Sequence, residues 1–411
     1  MRDEALGKAL REMQLPVAAD AEQRGARVVE AAFAERGEHR PRRREAGRPA
    51  LPRLALAIGI ATLLVGLLLS PAGAAVRDWV DDVVGSSAPR PEPGLSEIPG
   101  AGRLLVQSAV GPWVVQPDGS RRLLGDYDEA SWSPRGLFVA VAKGRVLSAI
   151  EPGGTPHWSL TAGGRVSDSR WSPSGYRIAY RSGEELRVVA GDGTGDRLID
   201  PHTAPVAPAW SPFGTPEVAY VNGRGQLRLA ASEKRASRAG APPGLGAGVA
   251  GGDVRQIEWG AGGQLILEVS RAELHLQGMR LSKLEGRSEF GARTELAIPA
   301  GATVVDAALA PRRPVVAAVL TRWRTAGTRS SVVVFGPKGP RRLLSVPGSL
   351  GEVAWSPDGR RLLVAWPGAN QWLFLPIGRG GGRAVAGVST AFSPGARPAS
   401  FPRVEGWCCR P

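Results

Sequence analysis

The stretch Trp355-Ser356-Pro357-Asp358-Gly359 recurs along the chain, and its recurrence decides the fold. Close copies are Trp132-Ser133-Pro134-Arg135-Gly136, Trp171-Ser172-Pro173-Ser174-Gly175 and Trp210-Ser211-Pro212-Phe213-Gly214. Degenerate copies begin at Trp259, at Leu309 (followed by Ala310-Pro311) and at Phe392 (followed by Ser393-Pro394). The anchor-to-anchor spacings are 39, 39, 49, 50, 46 and 37 residues. A period of roughly 40–50 residues is what a four-stranded propeller blade needs.

The interior of each unit agrees with that period. In Ser-Pro-x-Gly the Pro presets φ and the Gly permits a left-handed backbone, so each copy reads as a turn. An apolar run follows each turn, as at 178–180 and 362–366, and a second comes several residues later, as at 186–189 and 372–375. Glycine-containing turns and a short basic-apolar strand complete several units. Alternating turns and strands make an antiparallel meander. Before the first anchor lie runs at 104–107, 113–115 and 121–124, a blade that lacks its first strand. The last anchor, Phe392, offers a first strand with no blade after it. Joining the two closes the ring and hides its edges. The expected fold is all-β: a seven-bladed β-propeller of four-stranded antiparallel blades over residues 101–411. The degenerate units at Trp259 and Leu309 leave a range of six to eight blades.

The Trp-Ser-Pro-Asp-Gly units resemble those of TolB-like, WD-repeat-like β-propellers. The resemblance covers roughly residues 101–400, and residues 355–359 match the motif in full. Arg135, Ser174 and Phe213 depart from it at the Asp position. The resemblance implies a propeller and an envelope setting; such repeats serve many functions. The N-terminal half of TolB-type proteins has no counterpart here.

Residues 1–53 are polar and helix-prone, with 12 basic and 9 acidic side chains. They end in Arg40, Arg42, Arg43, Arg44, Arg48 and Arg53. Residues 54–76 carry no charge. A span of about 20 apolar residues crosses a bilayer core. The Arg cluster ahead of it places the N-terminus in the cytoplasm. Ala72-Gly73-Ala74 also fits a signal-peptidase site, but the polar region in front is too long for a signal peptide. The expectation is a single-pass plasma-membrane protein with a helical cytoplasmic tail, a transmembrane helix at 54–76 and an extracytoplasmic propeller. Residues 77–100 read as a short interfacial helix (Trp79, Val80, Val83, Val84) followed by a Pro-rich linker.

The net charge of +14 arises outside the membrane, where residues 101–411 hold 38 basic and 24 acidic residues. It is dispersed rather than striped, so nucleic acid is not an expected partner. Cofactor and metal sites are not expected either. The four histidines form no ligand pair, and the two cysteines are adjacent. No Gly-x-Ser-x-Gly elbow is present. Residues 246–251 match Gly-x-Gly-x-x-Gly but read as an inter-blade loop, and His275 reads as a core histidine inside a strand.

Two features remain as candidate sites. Three residues before the anchors stand Glu129, Asp168, Ala207, Gln256, Asp306, Glu352 and Ser389. Blade symmetry puts Glu129, Asp168, Asp306 and Glu352 at similar heights, as an acidic collar at one mouth of the channel. The competing reading is that each carboxylate accepts backbone N–H bonds at an inter-blade turn, a use for which turns recruit Asp. Cys408 and Cys409 are a candidate vicinal disulfide, a tail-packing pair or a cross-link to a second chain. The expected function is a non-enzymatic module of the cell envelope that binds a protein or a small ligand. The alternatives are a transmembrane regulator signalling through the tail, and a propeller hydrolase or lyase using the four carboxylates.

Overall fold

The computed structural model describes residues 91–212, 217–232, 253–260, 265–281, 288–325, 327–378, 380–393 and 400–409. The expected tail (1–53), membrane helix (54–76) and interfacial helix lie outside the described residues. Among the described residues no helix is long and apolar enough to cross a membrane.

The chain forms seven sheets arranged as the blades of a propeller. Blade II runs Glu129–Trp132, Val139–Lys143, Val146–Ile150 and Pro156–Thr161. Blade III runs Val166–Trp171, Arg177–Ser182, Glu185–Ala190 and Arg197–Asp200. Blade IV shows three described strands, Ala209–Trp210, Glu217–Val221 and Leu227–Ala231. Blade V holds Gln256–Trp259, Leu265–Val269, Leu274–Leu281 and Ser288–Glu295. Blade VI holds Ala302–Leu309, Val316–Arg324, Gly327–Gly336 and Gly339–Pro347. Blade VII holds Val353–Trp355, Arg361–Trp366, Gln371–Pro376 and Arg383–Ala386.

Blade I is composite. Its outer three strands are Arg103–Ser108, Gly111–Val115 and Arg121–Leu123, and its innermost strand is Arg403–Cys408 from the far end of the chain. The closing strand therefore differs from the one expected. Phe392 belongs to a one-turn helix, Val388–Phe392, and its ring meets Trp113 and Trp372 at 5.8 and 5.2 Å. The seventh anchor is Trp407, paired with Leu104 as Trp355 is with Leu362.

The recurring turn is a closed hydrogen-bond motif. Ser356 N–H donates to Arg361 O at 2.9 Å, and its hydroxyl accepts from Arg361 N at 2.9 Å. The Ser356 hydroxyl also meets Asp358 Oδ1 at 2.6 Å, and Gly359 turns left-handed at φ 67°. Ser172 repeats the pattern, with Ser174 in place of the Asp, 3.0 Å from the Ser172 hydroxyl. A short polar oxygen suffices at that position, so the motif survives loss of Asp.

Among the described residues the apolar core divides into seven clusters, one at each junction of adjacent blades. Each junction holds one anchor, facing the preceding blade. Trp210 Nε1 donates to Arg170 O at 2.8 Å, and Trp355 Nε1 to Ala308 O at 2.9 Å. Because both faces of a blade are covered, the middle strands are apolar on both sides. Gly111–Val115 and Glu217–Val221 are buried throughout. Such strands read as continuous apolar runs rather than alternating ones.

Residues 91–100, expected as linker, pack onto the propeller. Pro91–Pro93 adds a parallel strand to the outer edge of blade VII, where a missing N–H is tolerated. Ile98 is buried between blades VII and I, and its N–H donates to Pro117 O at 2.8 Å. The strap crosses the turn at Gly119 (φ 78°), where a Cβ would collide with Leu95 O and lie 2.7 Å from the Ser96 carbonyl carbon. Residues Asp78–Pro411 form one compact unit, and every described strand and core cluster belongs to it. It carries its own hydrophobic core, which is what a chain needs to fold as a domain.

Gly119→Ala should therefore cost more than about 3 kcal/mol, a left-handed penalty plus a backbone clash. Gly144 is also left-handed (φ 55°) but has open space around it. Gly144→Ala should cost only about 1 kcal/mol. Urea unfolding of residues 78–411 measures both.

Candidate functional site

The four predicted carboxylates lie in or just before inner strands, and two of them, Glu129 and Asp306, reach a neighbouring blade. Glu129 reaches from blade II to blade III. Its Oε2 accepts from Asp168 N at 2.6 Å, and its Oε1 from Ser169 N at 2.7 Å. Asp306 reaches from blade VI to blade VII and accepts from Val353 N at 2.8 Å. These two carboxylates bond the backbone across a blade junction, as the competing reading has it. Asp168 is left-handed at φ 56°, at a bulge of its strand, and pairs with buried Arg181 at 3.3 Å. Glu352 stands just before Val353–Trp355.

Burial governs the protonation of Glu129, Asp306 and Glu352. It pushes the Asp306 carboxyl up to about 7; the Val353 N–H opposes the shift, and the nearby Glu352 charge adds to it. Burial likewise raises Glu129 and Glu352, against the cations Arg170 and Arg403 respectively. The four candidates thus interact as two pairs, Glu129 with Asp168 and Asp306 with Glu352.

The sequence reading missed two inner-strand charges. Glu258 accepts from Leu309 N at 2.8 Å, so a third inner-strand carboxylate bonds across a junction. Burial pushes it up to about 7, with Asp306 raising it further and Arg170 lowering it. Arg170 and Glu258 each stand one residue before an anchor. The same position elsewhere holds Ser131, Ala209, Ala308, Ala354 and Gly406, all small. Charge at a position otherwise reserved for small residues was the available signal.

A second concavity lies at the rim between blades III and IV. It encloses about 710 Å³ and is lined by Glu184, Asp200, His202, Thr203, Asn222 and Arg224, among others. The connection from Arg197–Asp200 to Ala209–Trp210 builds one wall. Asp200 fixes it by accepting from His202 N at 2.8 Å and from the Tyr220 hydroxyl at 2.9 Å. Asp200 thus holds the His202 backbone, and the imidazole stays exposed. Asn222 Oδ1 accepts from the N–H groups of Arg224 and Gln226 and shapes the facing turn. Thr203 hydroxyl donates to Glu184 O at 2.7 Å and accepts from Arg181 Nε at 3.4 Å. Arg181 therefore links the cleft to Asp168. The cleft offers both charge signs and several donors, a chemistry suited to a polar ligand.

The anchors Trp132, Trp171, Trp210, Trp259 and Trp355 all end inner strands. Cys408 and Cys409 are joined through their sulfurs and rest on the blade II turn, with Cys409 Sγ 3.5 Å from Pro134 O. Residues 246–251 lie outside the described residues. His275 is buried in its strand, and burial pushes its imidazole below the ordinary value.

No protein-family model matches the sequence. No curated protein matches it. Solved structures do resemble it in fold. A functionally unknown protein from Desulfotomaculum acetoxidans aligns with TM-score 0.52 and 12% identity, over 76% of this chain and 100% of that one. Hsv2 of Kluyveromyces lactis aligns with TM-score 0.49 and 12% identity, over 69% of this chain and 93% of that one. Hydrazine synthase of Kuenenia stuttgartiensis gives 0.46 and 13%, over 60% and 76%. The likeness is one of fold: this chain is a seven-bladed β-propeller.

The raised acids give a pH dependence with a definite sign. Asp306 titrates near 7 when folded, above its ordinary 3.8. Its stabilising contribution is complete below about pH 4 and is lost as pH rises through 7. Asp306→Asn keeps the acceptor and removes the charge. It should raise Tm at pH 8 by roughly 2–6 °C and change it little at pH 4. Calorimetry at both pH values checks this.

Proposed function

We propose that the chain is a non-enzymatic binding propeller of the cell envelope, TolB-like in its repeats and carried on the outer face of the plasma membrane by residues 54–76. Its ligand surface is the cleft between blades III and IV. One observation carries this reading. Carboxylates of the inner strands are engaged in bonds between blades (Glu129, Glu258 and Asp306), while the cleft presents His202 and Arg224 to solvent. Groups that hold the scaffold are poorly free to turn over a substrate; groups held by the scaffold are free to bind one. The partner is an envelope protein or a small polar ligand.

A hydrolase or lyase is the second reading. It is favoured by Glu258 and Asp306, both pushed up to about 7, where a carboxyl serves as acid and base. A transmembrane regulator adds only the tail to the first reading; deleting residues 1–50 would then break signalling and leave ligand capture intact.

The test uses the full chain in its own membranes. Crosslinking followed by affinity recovery should capture a partner or ligand. His202→Ala with Arg224→Glu should reduce recovery at least about tenfold, the loss expected for two polar contacts. Glu258→Gln should leave it unchanged. Undiminished recovery from the double cleft variant would remove the cleft. Loss of a hydrolytic or lyase activity on Glu258→Gln would install the enzyme reading instead.

A further inference from the structure

The second and third strands of blade VI are the longest of that pair in any blade, at 9 and 10 residues. The inner strand stops pairing at Ala302 opposite Arg322. Beyond it the hairpin continues without the inner strand, with Trp323 opposite Thr328 and Arg324 opposite Gly327. Trp323 is 81% exposed, the highest value among the large apolar side chains described. Side chains alternate across a strand pair, so Trp323 takes one side of the tip and Arg324 and Arg329 take the other, along with Arg322, which donates to Ala300 O. The tip lies at the end of the blade where the inner strand begins.

An exposed indole on a projecting hairpin gains nothing for the fold. Its rigid ring, apolar with one N–H, is suited to the boundary between water and lipid headgroups. Flanking Arg side chains are drawn to anionic headgroups, while their stems lie along the apolar layer. The geometry points to this hairpin tip as a docking point for an anionic bilayer surface. The chemistry recognised is a negatively charged headgroup layer with accessible acyl carbon, not a soluble anion. Each Arg near such a surface contributes about fivefold in affinity, and the indole about tenfold or more. These factors give weak binding for the free propeller. A membrane segment at 54–76 would raise the effective concentration to the millimolar range and make contact persistent. That tether rests on the membrane reading proposed above; the hairpin itself does not.

The experiment uses residues 78–411, which lack the membrane segment. Its failure therefore leaves the anchor reading untouched, and fractionation of the full chain tests that separately. Flotation with vesicles containing about 40% anionic lipid should recover the propeller, and neutral vesicles should recover at least about tenfold less. Trp323→Ala should reduce recovery on anionic vesicles about tenfold. Arg324→Gln should reduce it about fivefold and flatten the salt dependence. Both variants should melt with the parent, since the tip lies outside the core. Absence of flotation, equal flotation on neutral vesicles, or flotation unchanged by Trp323→Ala would each overturn the proposal.

Discussion

The ring depends on the pairing of Arg403–Cys408 with Arg103–Ser108. A blade has two apolar faces, and each must be covered by a neighbour. Without the C-terminal strand, blade I would lack its innermost strand and the edge of Arg103–Ser108 would stay unpaired. That strand completes blade I, and it places Trp407 between blades VII and I, beside Phe374 at 5.7 Å. Truncating a buried Trp costs about 3–5 kcal/mol, so one junction carries a large share of a typical domain's net stability.

The inner-strand acids extend the same logic. Three carboxylates each take a backbone N–H of the next blade: Glu129 from Asp168, Glu258 from Leu309, and Asp306 from Val353. A charged acceptor contributes about 1.5–3 kcal/mol per bond, and burial opposes it by disfavouring the charge. The balance falls near neutrality for Glu258 and Asp306. The scaffold is thus held by groups whose ionisation changes over the range in which proteins work.

How much was legible follows from how local each signal is. Trp132, Trp171, Trp210 and Trp355 were legible because the turn after each is built from four consecutive residues. Trp407 was not, because Cys408-Cys409 follow it where Ser-Pro stands elsewhere, and Phe392-Ser393-Pro394 imitated the motif nearby. The imitation fails in three dimensions: Phe392 fills a hole between Trp113 and Trp372 and never enters a strand. Arg403 to Trp407 instead supplies an extended segment that can bulge at Glu405 to meet Leu105 and Val106. Glu129 and Asp306 are legible because they recur three residues before an anchor; Glu258 and Arg170 stand one residue before theirs, where the other blades carry small residues and no charge repeats. The cleft had no sequence signature at all. Its walls come from residues 184, 200–205 and 222–224, brought together only when blades III and IV pack.

The central claim is that one terminal strand closes seven interdependent blades. Removing residues 403–411 from the 78–411 chain tests it most directly, with differential scanning calorimetry read beside the mass in solution. The account predicts loss of the single cooperative transition and association through the uncovered edge of Arg103–Ser108. A monomer with an unchanged single transition would contradict it.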